Sequence, residues 1–424
     1  MLAGGPLYIK LGQILSTRSD LLPAATIKHL QKLQDDTPAN DYKYIKKVIE
    51  STYGKSIGEV FESFDEQPIA SASIAQVHKA RLKTGETVAV KVLRKGVVKQ
   101  MNRSLSFLCG MTAVLEKILP PMRKMHAAQR MNEIRRLLTE QLDLATELYN
   151  LEQVRANFIN HEYISVPVPY NEYCHKNILV IEYVEGIKAL DFKKVNISPK
   201  KLAARLQSAI YTMLYFDGVC HGDPHPGNII LSEDGKITFI DFGIVAYLTE
   251  HEKWGLSSFY YAATSHLWEL AVTRFTNCFA LSGENLLDNT DYKNIMSKVL
   301  KHHFCDIADE WNTAAFFQDV SQVLNQFNAS YTPNFTKAEL AMMSCEGFAT
   351  QIDPDLDVWG NAKTFSDQYS PFVSDDVEAI FDKWYSEENS NAIKLRARAK
   401  ESLIASTHID RYFFPSNYRF SAYL

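Results

Sequence analysis

A chain of 424 residues exceeds one compact core, since domains run to roughly 100–200 residues each, so two lobes or domains are expected. Hydrophobic residues make up 46% and charged residues 22%, close to the globular average, which excludes a disordered, collagenous or coiled-coil chain. The formal net charge of −5 argues against a broad nucleic-acid-binding surface, which needs a basic excess.

Residues 1 to about 65 read as helices, with Asp20-Leu-Leu-Pro23 as a break and a polar turn over Asp35–Asn40. The period then changes. Ile74–Leu82, the turn Lys83-Thr84-Gly85-Glu86 and Thr87–Leu93 read as strand, turn, strand. Alternation in the second strand puts Val88, Val90 and Val92 on one face and Ala89, Lys91 and Leu93 on the other. From Gly96 to about Asn160 the pattern is helical, interrupted at Pro120-Pro121, with Glu140, Asp143 and Glu147 near one helical face. Strands return at Ile164–Pro169 and Asn177–Val184. Ser198-Pro199 opens a helix to about Phe216, with a capping hydroxyl and a proline at the first helical position. Ile229–Leu231 and Ile237–Ile240 flank the Asp-Gly turn of a tight hairpin. After Gly243 the chain reads as almost wholly helical, one helix opening on a Thr336/Glu339 capping box.

Six cysteines, at positions 109, 174, 220, 278, 305 and 345, form no C-x-x-C pair, a pattern that fits a reducing compartment. The longest apolar stretch, Leu105–Leu115, falls short of the about 20 residues a bilayer span takes, so it reads as buried or interfacial. The N-terminal MLAGGPLYIKLGQ lacks a basic region followed by an apolar core, which points away from secretion.

The strongest chemical signal is His221-Gly222-Asp223-Pro224-His225-Pro226-Gly227-Asn228, followed after a hairpin by Asp241-Phe242-Gly243. An Asp, an Asn five residues on and a second Asp suit metal-dependent phosphoryl transfer: Asp223 orients or deprotonates a nucleophile, while Asn228 and Asp241 hold Mg²⁺. Val88-Ala89-Val90-Lys91 adds a small residue against a flat base and an ammonium within reach of phosphates. Alone, such a lysine is ordinarily a strand-edge charge. It gains force from Glu147, placed on a following helix where it can pair with Lys91. The segment Pro68 to His78 stands where a kinase carries its glycine-rich loop, yet holds no glycine. Two weaker features read as ordinary surface: His302-His303 with Cys305 and Asp306, whose spacing matches no standard metal site, and basic clusters at Arg94, Lys95, Lys99, Arg103 and at Lys394–Lys400. The five tryptophans, all in the second half, read as core residues.

These residues together resemble the UbiB family of atypical kinase-like proteins. The likeness is carried by Lys10-Leu11-Gly12-Gln13, Ser16 to Pro23, the alanine-rich Ala70 to His78, Lys91, Asp143 with Glu147 and Asn150, His221 to Asn228, and Asp241 to Gly243. It implies an α+β, two-lobed protein-kinase-like fold: residues 1–65 an N-terminal helical KxGQ extension, 66–186 the N-lobe with a helical insert, 187–424 a predominantly helical C-lobe. It implies ATP and Mg²⁺ as cofactors, Lys91–Glu147 as the kinase ion pair, Asp223 at the catalytic aspartate position, and Asn228 and Asp241 as metal ligands. Ala70, Ala72, Ser73 and Ala89 would line the nucleotide, with the backbone of Glu182–Val184 as the hinge against adenine. Lys10 and Gln13 match an extension that packs over the site and blocks protein substrates. Two departures stand out: Gln141 occupies the position of an expected Glu, and Ser71 interrupts the usual run of alanines. No activation segment or Ala-Pro-Glu follows Gly243, so phosphorylation of proteins in trans is disfavoured.

The implied role is support of ubiquinone or other prenyl-lipid biosynthesis, on the cytoplasmic or organelle-matrix side of a membrane, with peripheral contact to an anionic surface. A quinone precursor or prenyl lipid is the implied partner beside the nucleotide, and no nucleic acid. Three activities stay open: an ATPase that presents quinone precursors, a small-molecule or lipid kinase, and a non-catalytic nucleotide-sensing scaffold.

Overall fold

A computed structural model describes residues 40–124, 127–159, 161–308 and 311–369. The chain divides into two compact units, the first comprising the described residues up to Ile159, Ser165–Gly186 and Thr238–Ile244, the second the remainder. Among the described residues no helix is long and apolar enough to cross a membrane.

The first unit is built on an antiparallel sheet. Helix α1 (Tyr42–Tyr53) is capped by Asp41, whose carboxylate accepts from the Lys43 amide at 3.0 Å, and ends at Gly54. Strands β1 (Phe61–Phe64), β2 (Ala70–Ser71), β3 (Ala75–Leu82), β4 (Thr87–Leu93) and β5 (Ile178–Glu182) follow, in the order β1-β3-β4-β5 with β2 paired to β3. Ile45 and Ile49 of α1 pack with Phe61, Val88, Val90, Val92, Ile178 and Val180. Burying each such side chain contributes about 1.5–3 kcal/mol. The helical reading up to about residue 65 fails at β1: Phe61 is buried, Glu62 and Ser63 are exposed beside a register shift, and residues of both α1 and β1 belong to the sheet's core.

Four described helices follow β4 in this unit, one of them the short Pro120–Lys124. Gly96, at φ 69°, supplies the left-handed turn that opens α2 (Val97–Ile118). Val97, Met101 and Leu105 face inward, whereas Phe107, Met111, Val114 and Ile118, spaced by four, three and four, form an exposed row. Then come α3 (Ala127–Glu140) and α4 (Leu144–Asn157). Glu140, Asp143 and Glu147 were expected on one helical face, but the helix breaks after Glu140. Asp143 is the N-cap of α4, accepting from the Ala145 amide at 3.0 Å.

The second unit is mainly helical. Ser198 caps α5 (Pro199–Thr212), its hydroxyl accepting from Lys201, and the chain continues as a π-helical turn, Met213–Asp217, closed by Gly218. Strand β6 (Ile187–Lys188) pairs with β8 (Ile229–Leu231), and β7 (Val219–His221) with β10 (Val245–Tyr247); β9 (Ile237–Phe239), between β8 and β10 in sequence, has Ile237 in this unit and Thr238 and Phe239 in the first. Gly235 (φ 73°) makes the turn after β8, where any Cβ would meet the Ile197 side chain at 2.3 Å. Helices α6 (Glu250–Thr264), α7 (Trp268–Phe279), α8 (Thr290–Lys301), α9 (Thr313–Gln326), α10 (Pro333–Ile352) and α11 (Val358–Tyr369) complete it.

Three sequence readings are corrected in this unit. Helix α10 opens at Thr332-Pro333, one turn before the Thr336/Glu339 box; the Thr332 hydroxyl accepts from Phe335, and proline presets the first helical φ. His303, read as part of a surface helix, is 1% exposed with Nε2 2.9 Å from Asp319 Oδ2. No group of three metal-ligating side chains occurs among the described residues. Trp268, Trp311 and Trp359 are half-buried rather than fully enclosed, the last two stacked at 5.1 Å.

Candidate active site

Lys91 sits in the middle of β4, paired with Val77 on β3 and Leu179 on β5. The alternation that buries Val90 and Val92 in the core sends Lys91 to the other face. There its Nζ lies 2.6 Å from Glu147 Oε1 and 2.8 Å from Asp241 Oδ2. The lysine and Glu147 side chains are 17% and 3% exposed, that of Asp241 40%. Burial alone would depress the lysine pKa, but the charges of Asp241 and Glu147 outweigh it and hold the ammonium above the ordinary lysine value. Burial pushes Glu147 upward, against the pull of Lys91. A lysine so enclosed stays charged only because both carboxylates accept from it.

Helix α4 delivers a second contact to the same place. Asn150, one turn beyond Glu147 and 5% exposed, donates from Nδ2 to the carbonyl of Phe242 at 2.9 Å. Phe242 is fully buried and anchors the turn between Asp241 and Gly243. Within that turn Asp241 Oδ1 accepts from the Gly243 amide at 3.0 Å, so one carboxylate oxygen is committed to the backbone and the other to Lys91. A Cβ at position 243 would stand 3.2 Å from Asp241 Oδ1 and 3.3 Å from Gln141 Cγ. Gln141 is itself 8% exposed, and its Nε2 has no hydrogen-bond partner among the described residues.

The glycine-free loop leads from β2 into β3. Ala70 is exposed, Ser71 and Ala72 are half-buried, and Ser73 is buried at 1% exposed. Arg94, read from the sequence as a surface charge beside Lys95 and Lys99, is 9% exposed and bonded to this loop. Its burial follows from its place at the end of a central strand, where the stem runs along the protein instead of into water. Ala89 is buried at 9%, on the face of β4 that carries Lys91. At the expected hinge the Glu182 amide donates to the Val168 carbonyl, the Glu182 side chain accepts from the Val168 amide, and the Tyr183 amide donates to Thr87. Adenine recognition there would fall to other groups, such as Val184.

In the second unit, β7 ends at His221, which is fully buried and accepts on Nδ1 from the Asp223 amide at 3.1 Å; its ring proton therefore sits on Nε2. Asn228, on the turn Pro226–Asn228, donates from Nδ2 to the Asp223 backbone carbonyl at 3.0 Å and to Asp223 Oδ2 at 3.2 Å. With its nitrogen so engaged, the oxygen is the end of the amide left for a cation. The structure thus gathers the named residues into two groups: Lys91, Glu147 and Asp241 in the first unit, Asp223 and Asn228 in the second. Lys10 and Gln13 lie outside the described residues. Carboxylate and amide oxygens are the donors a hard divalent cation such as Mg²⁺ takes, so the donor set fits that ion. The sequence reading names Asn150 through the resemblance but not its contact with Phe242, and it takes Arg94 for a surface charge; a charge directly after a buried strand was the available signal of its burial.

The profile of the ABC1 atypical kinase-like domain matches residues 32–271. A protein of Histophilus somni described as "Probable protein kinase UbiB" is 32% identical over 372 residues, covering 85% of this chain and 68% of its own length. A protein of the same description from Pseudomonas putida (strain W619) is 33% identical over 404 residues, covering 90% and 72%. Among solved structures, the complex of Rv3197 with erythromycin from Mycobacterium tuberculosis superposes with a TM-score of 0.50 at 19% identity, covering 81% of this chain and 91% of that one, a likeness of fold. The sheet with its buried lysine, the helical second unit and these similarities lead to one assignment: the chain belongs to the ABC1 atypical kinase-like family and has its protein-kinase-like fold.

Proposed function

We propose that this chain binds ATP with Mg²⁺ and either hydrolyses it or passes the phosphoryl group to a small or lipid-like acceptor, in support of ubiquinone or other prenyl-lipid biosynthesis at a membrane surface. The observation that carries this reading is the buried ammonium of Lys91 held by both Glu147 and Asp241. An amine kept charged and aimed by a carboxylate is suited to phosphate oxygens, and the Asp241 carboxylate beside it is suited to the metal that accompanies them. In this reading Asn228 and Asp241 hold the ion, and Asp223 orients or deprotonates the attacking group. When bound, the ion supplies charge neutralisation on the phosphates.

The connection after Gly243 favours a small acceptor over a protein. Val245–Tyr247 form β10 at once, and α6 starts at Glu250 with Thr249 and Glu252 as its capping box, so no peptide-docking segment intervenes. Support for a membrane site comes from α2, where the exposed row Phe107, Met111, Val114 and Ile118 runs beside exposed Lys99, Arg103 and Lys117. The one acid of this helix, Glu116, accepts from the Ala128 amide at 2.5 Å. That combination matches an anionic bilayer.

The test is Asp241→Asn, read in three ways: nucleotide affinity with and without Mg²⁺, ATP turnover, and quinone content of a strain lacking the protein and carrying the variant. The expected result is a loss of Mg²⁺-dependent affinity of about tenfold or more, no turnover, and quinones left unrestored. Quinone synthesis restored by this variant would sink both the ATPase and the kinase reading.

A further inference from the structure

Three residues beyond Lys91, at the end of β4, the chain turns a guanidinium inward. Arg94 donates from Nε to the carbonyl of Ala72 and from an Nη to the hydroxyl of Ser71, both at 2.6 Å. Its backbone amide donates to the carbonyl of Ile74 at 2.9 Å. All three acceptors belong to one short segment, Ala70–Ile74. The segment also has local ties: the Ile69 amide leading into it donates to Val77 O at 2.8 Å, the Ala72 amide to Ala75 O at 2.9 Å, and Ser71 pairs with Gln76 across β2 and β3. Arg94 thereby ties this loop to the end of the strand bearing Lys91.

We propose that Arg94 is a positioning residue for nucleotide binding: its guanidinium fixes the height and shape of the glycine-free loop, and Ser71 is the loop's half of the clamp. The proposal rests on the nucleotide-binding reading above and deepens it. A glycine-rich loop is free to move and must be ordered by its ligand, at a cost in conformational entropy. Here alanine and serine narrow the backbone's choices, and two charge-assisted hydrogen bonds hold the remaining one. A loop ordered before the ligand arrives leaves more of the contact energy as affinity. The Ser71 hydroxyl gives the loop a side-chain acceptor for the guanidinium that an alanine at this position would lack.

The experiment uses the whole chain and three variants, Arg94→Ala, Arg94→Lys and Ser71→Ala, with Mg²⁺·ATP and Mg²⁺·ADP as probes. Amide hydrogen exchange is followed without nucleotide, and dissociation constants by calorimetry. In Arg94→Ala, exchange in a peptide covering residues 69–76 should quicken by about tenfold or more while peptides from β4 and β5 keep their rates. Its nucleotide dissociation constants should rise about tenfold, the size of one lost charge-assisted bond. Arg94→Lys, which can still reach the Ala72 carbonyl, should recover most of the affinity, and Ser71→Ala should fall between. Unchanged loop exchange in Arg94→Ala, or a loosened loop with unchanged affinity, would overturn the proposal. Should Arg94→Ala fail to fold, Ser71→Ala carries the same two readouts with the guanidinium in place. Absence of nucleotide binding by the unaltered chain would overturn both this proposal and the function it rests on; quickened exchange would then mark Arg94 as a structural clamp only.

Discussion

The Nδ2 of Asn150 lies 2.9 Å from the carbonyl oxygen of Phe242, one turn along α4 from the Glu147 that holds Lys91. One helix thereby fixes the lysine and the backbone of the turn that carries Asp241. Asn150→Ala should leave a buried carbonyl without this donor, at a cost of about 1–3 kcal/mol. Denaturant unfolding would measure that loss. ATP turnover should fall further than the fraction unfolded explains, because the Asp241 carboxylate loses its fixed backbone. Turnover that tracks the folded fraction would reduce Asn150 to a stability role.

The Lys91–Glu147 pair yields a second expectation. In Glu147→Gln the ammonium keeps Asp241 as its partner, so Asp241 is drawn further into the lysine and away from any metal. Lys91→Met alone leaves Glu147 and Asp241 as two neighbouring carboxylates. Each single change should therefore cost more than its share of the double change, with a coupling of about 1–3 kcal/mol in a double-mutant cycle on stability. Additive losses would show that the two side chains do not act as a unit.

Much of this site was legible because strand period and motif spacing are local. The alternation Val88 to Val92 by itself puts Lys91 opposite the core, and Ser198-Pro199 announces its helix by capping chemistry. What stayed hidden depends on distant partners. Arg94 reads as one more exposed charge until Ser71 and Ala72 are brought to it by strand pairing. The helix break at Gln141–Asp143 was obscured because apolar spacing runs smoothly through it, whereas Asp143 prefers the N-cap. Helix α10 shows a competition of signals: Thr332-Pro333 prevails because a proline can start a helix there but could not continue one, while Glu339, 2% exposed, faces the interior.

His78 gives the fold a pH dependence of defined sign. It is fully buried in β3, its Nδ1–H donating to the Asp65 carbonyl and its Nε2 accepting from Gln76, whose oxygen in turn accepts from Asn40. Burial lowers its pKa below the ordinary 6.5, with the Asp65 carbonyl and charge pulling the other way. A depressed folded pKa means the unfolded chain takes the proton first. The contribution is complete above about 6.5 and shrinks as pH falls toward the folded value. His78→Asn keeps a donor toward Asp65 but cannot titrate, so its stability should vary less between about pH 7.5 and 5.5 than that of the unaltered chain. Parallel curves for the two proteins would remove His78 as the source.

The exposed row on α2 predicts binding to anionic vesicles. Phe107→Glu with Ile118→Glu should abolish co-sedimentation with phosphatidylserine-containing vesicles while leaving stability within about 0.5 kcal/mol, since both side chains are 66% exposed. Lys99→Glu with Arg103→Glu should weaken binding at low salt and flatten its salt dependence. Equal sedimentation of the apolar double variant and the unaltered chain would dismiss this face as a membrane contact.

Gln141, which the resemblance reads as standing in place of a Glu, is open to a direct test. Its side chain and Asp241 Oδ1 border the same space over Gly243, and its buried amide nitrogen makes no hydrogen bond to the described residues. Glu140 is no substitute, since it is exposed at the end of α3 on the far side of the helix break. Gln141→Glu removes the orphan donor but places a third carboxyl beside Asp241 and Glu147. Without metal the new group must be protonated or repel its neighbours, so the variant should be less stable by about 1–3 kcal/mol, most at high pH. A divalent ion reverses the sign, because added negative charge near Asp241 strengthens cation binding. Mg²⁺ should then raise the variant's thermal midpoint more than it raises that of the unaltered chain. An equal response to Mg²⁺ in both would place position 141 outside the reach of any metal held by Asp241.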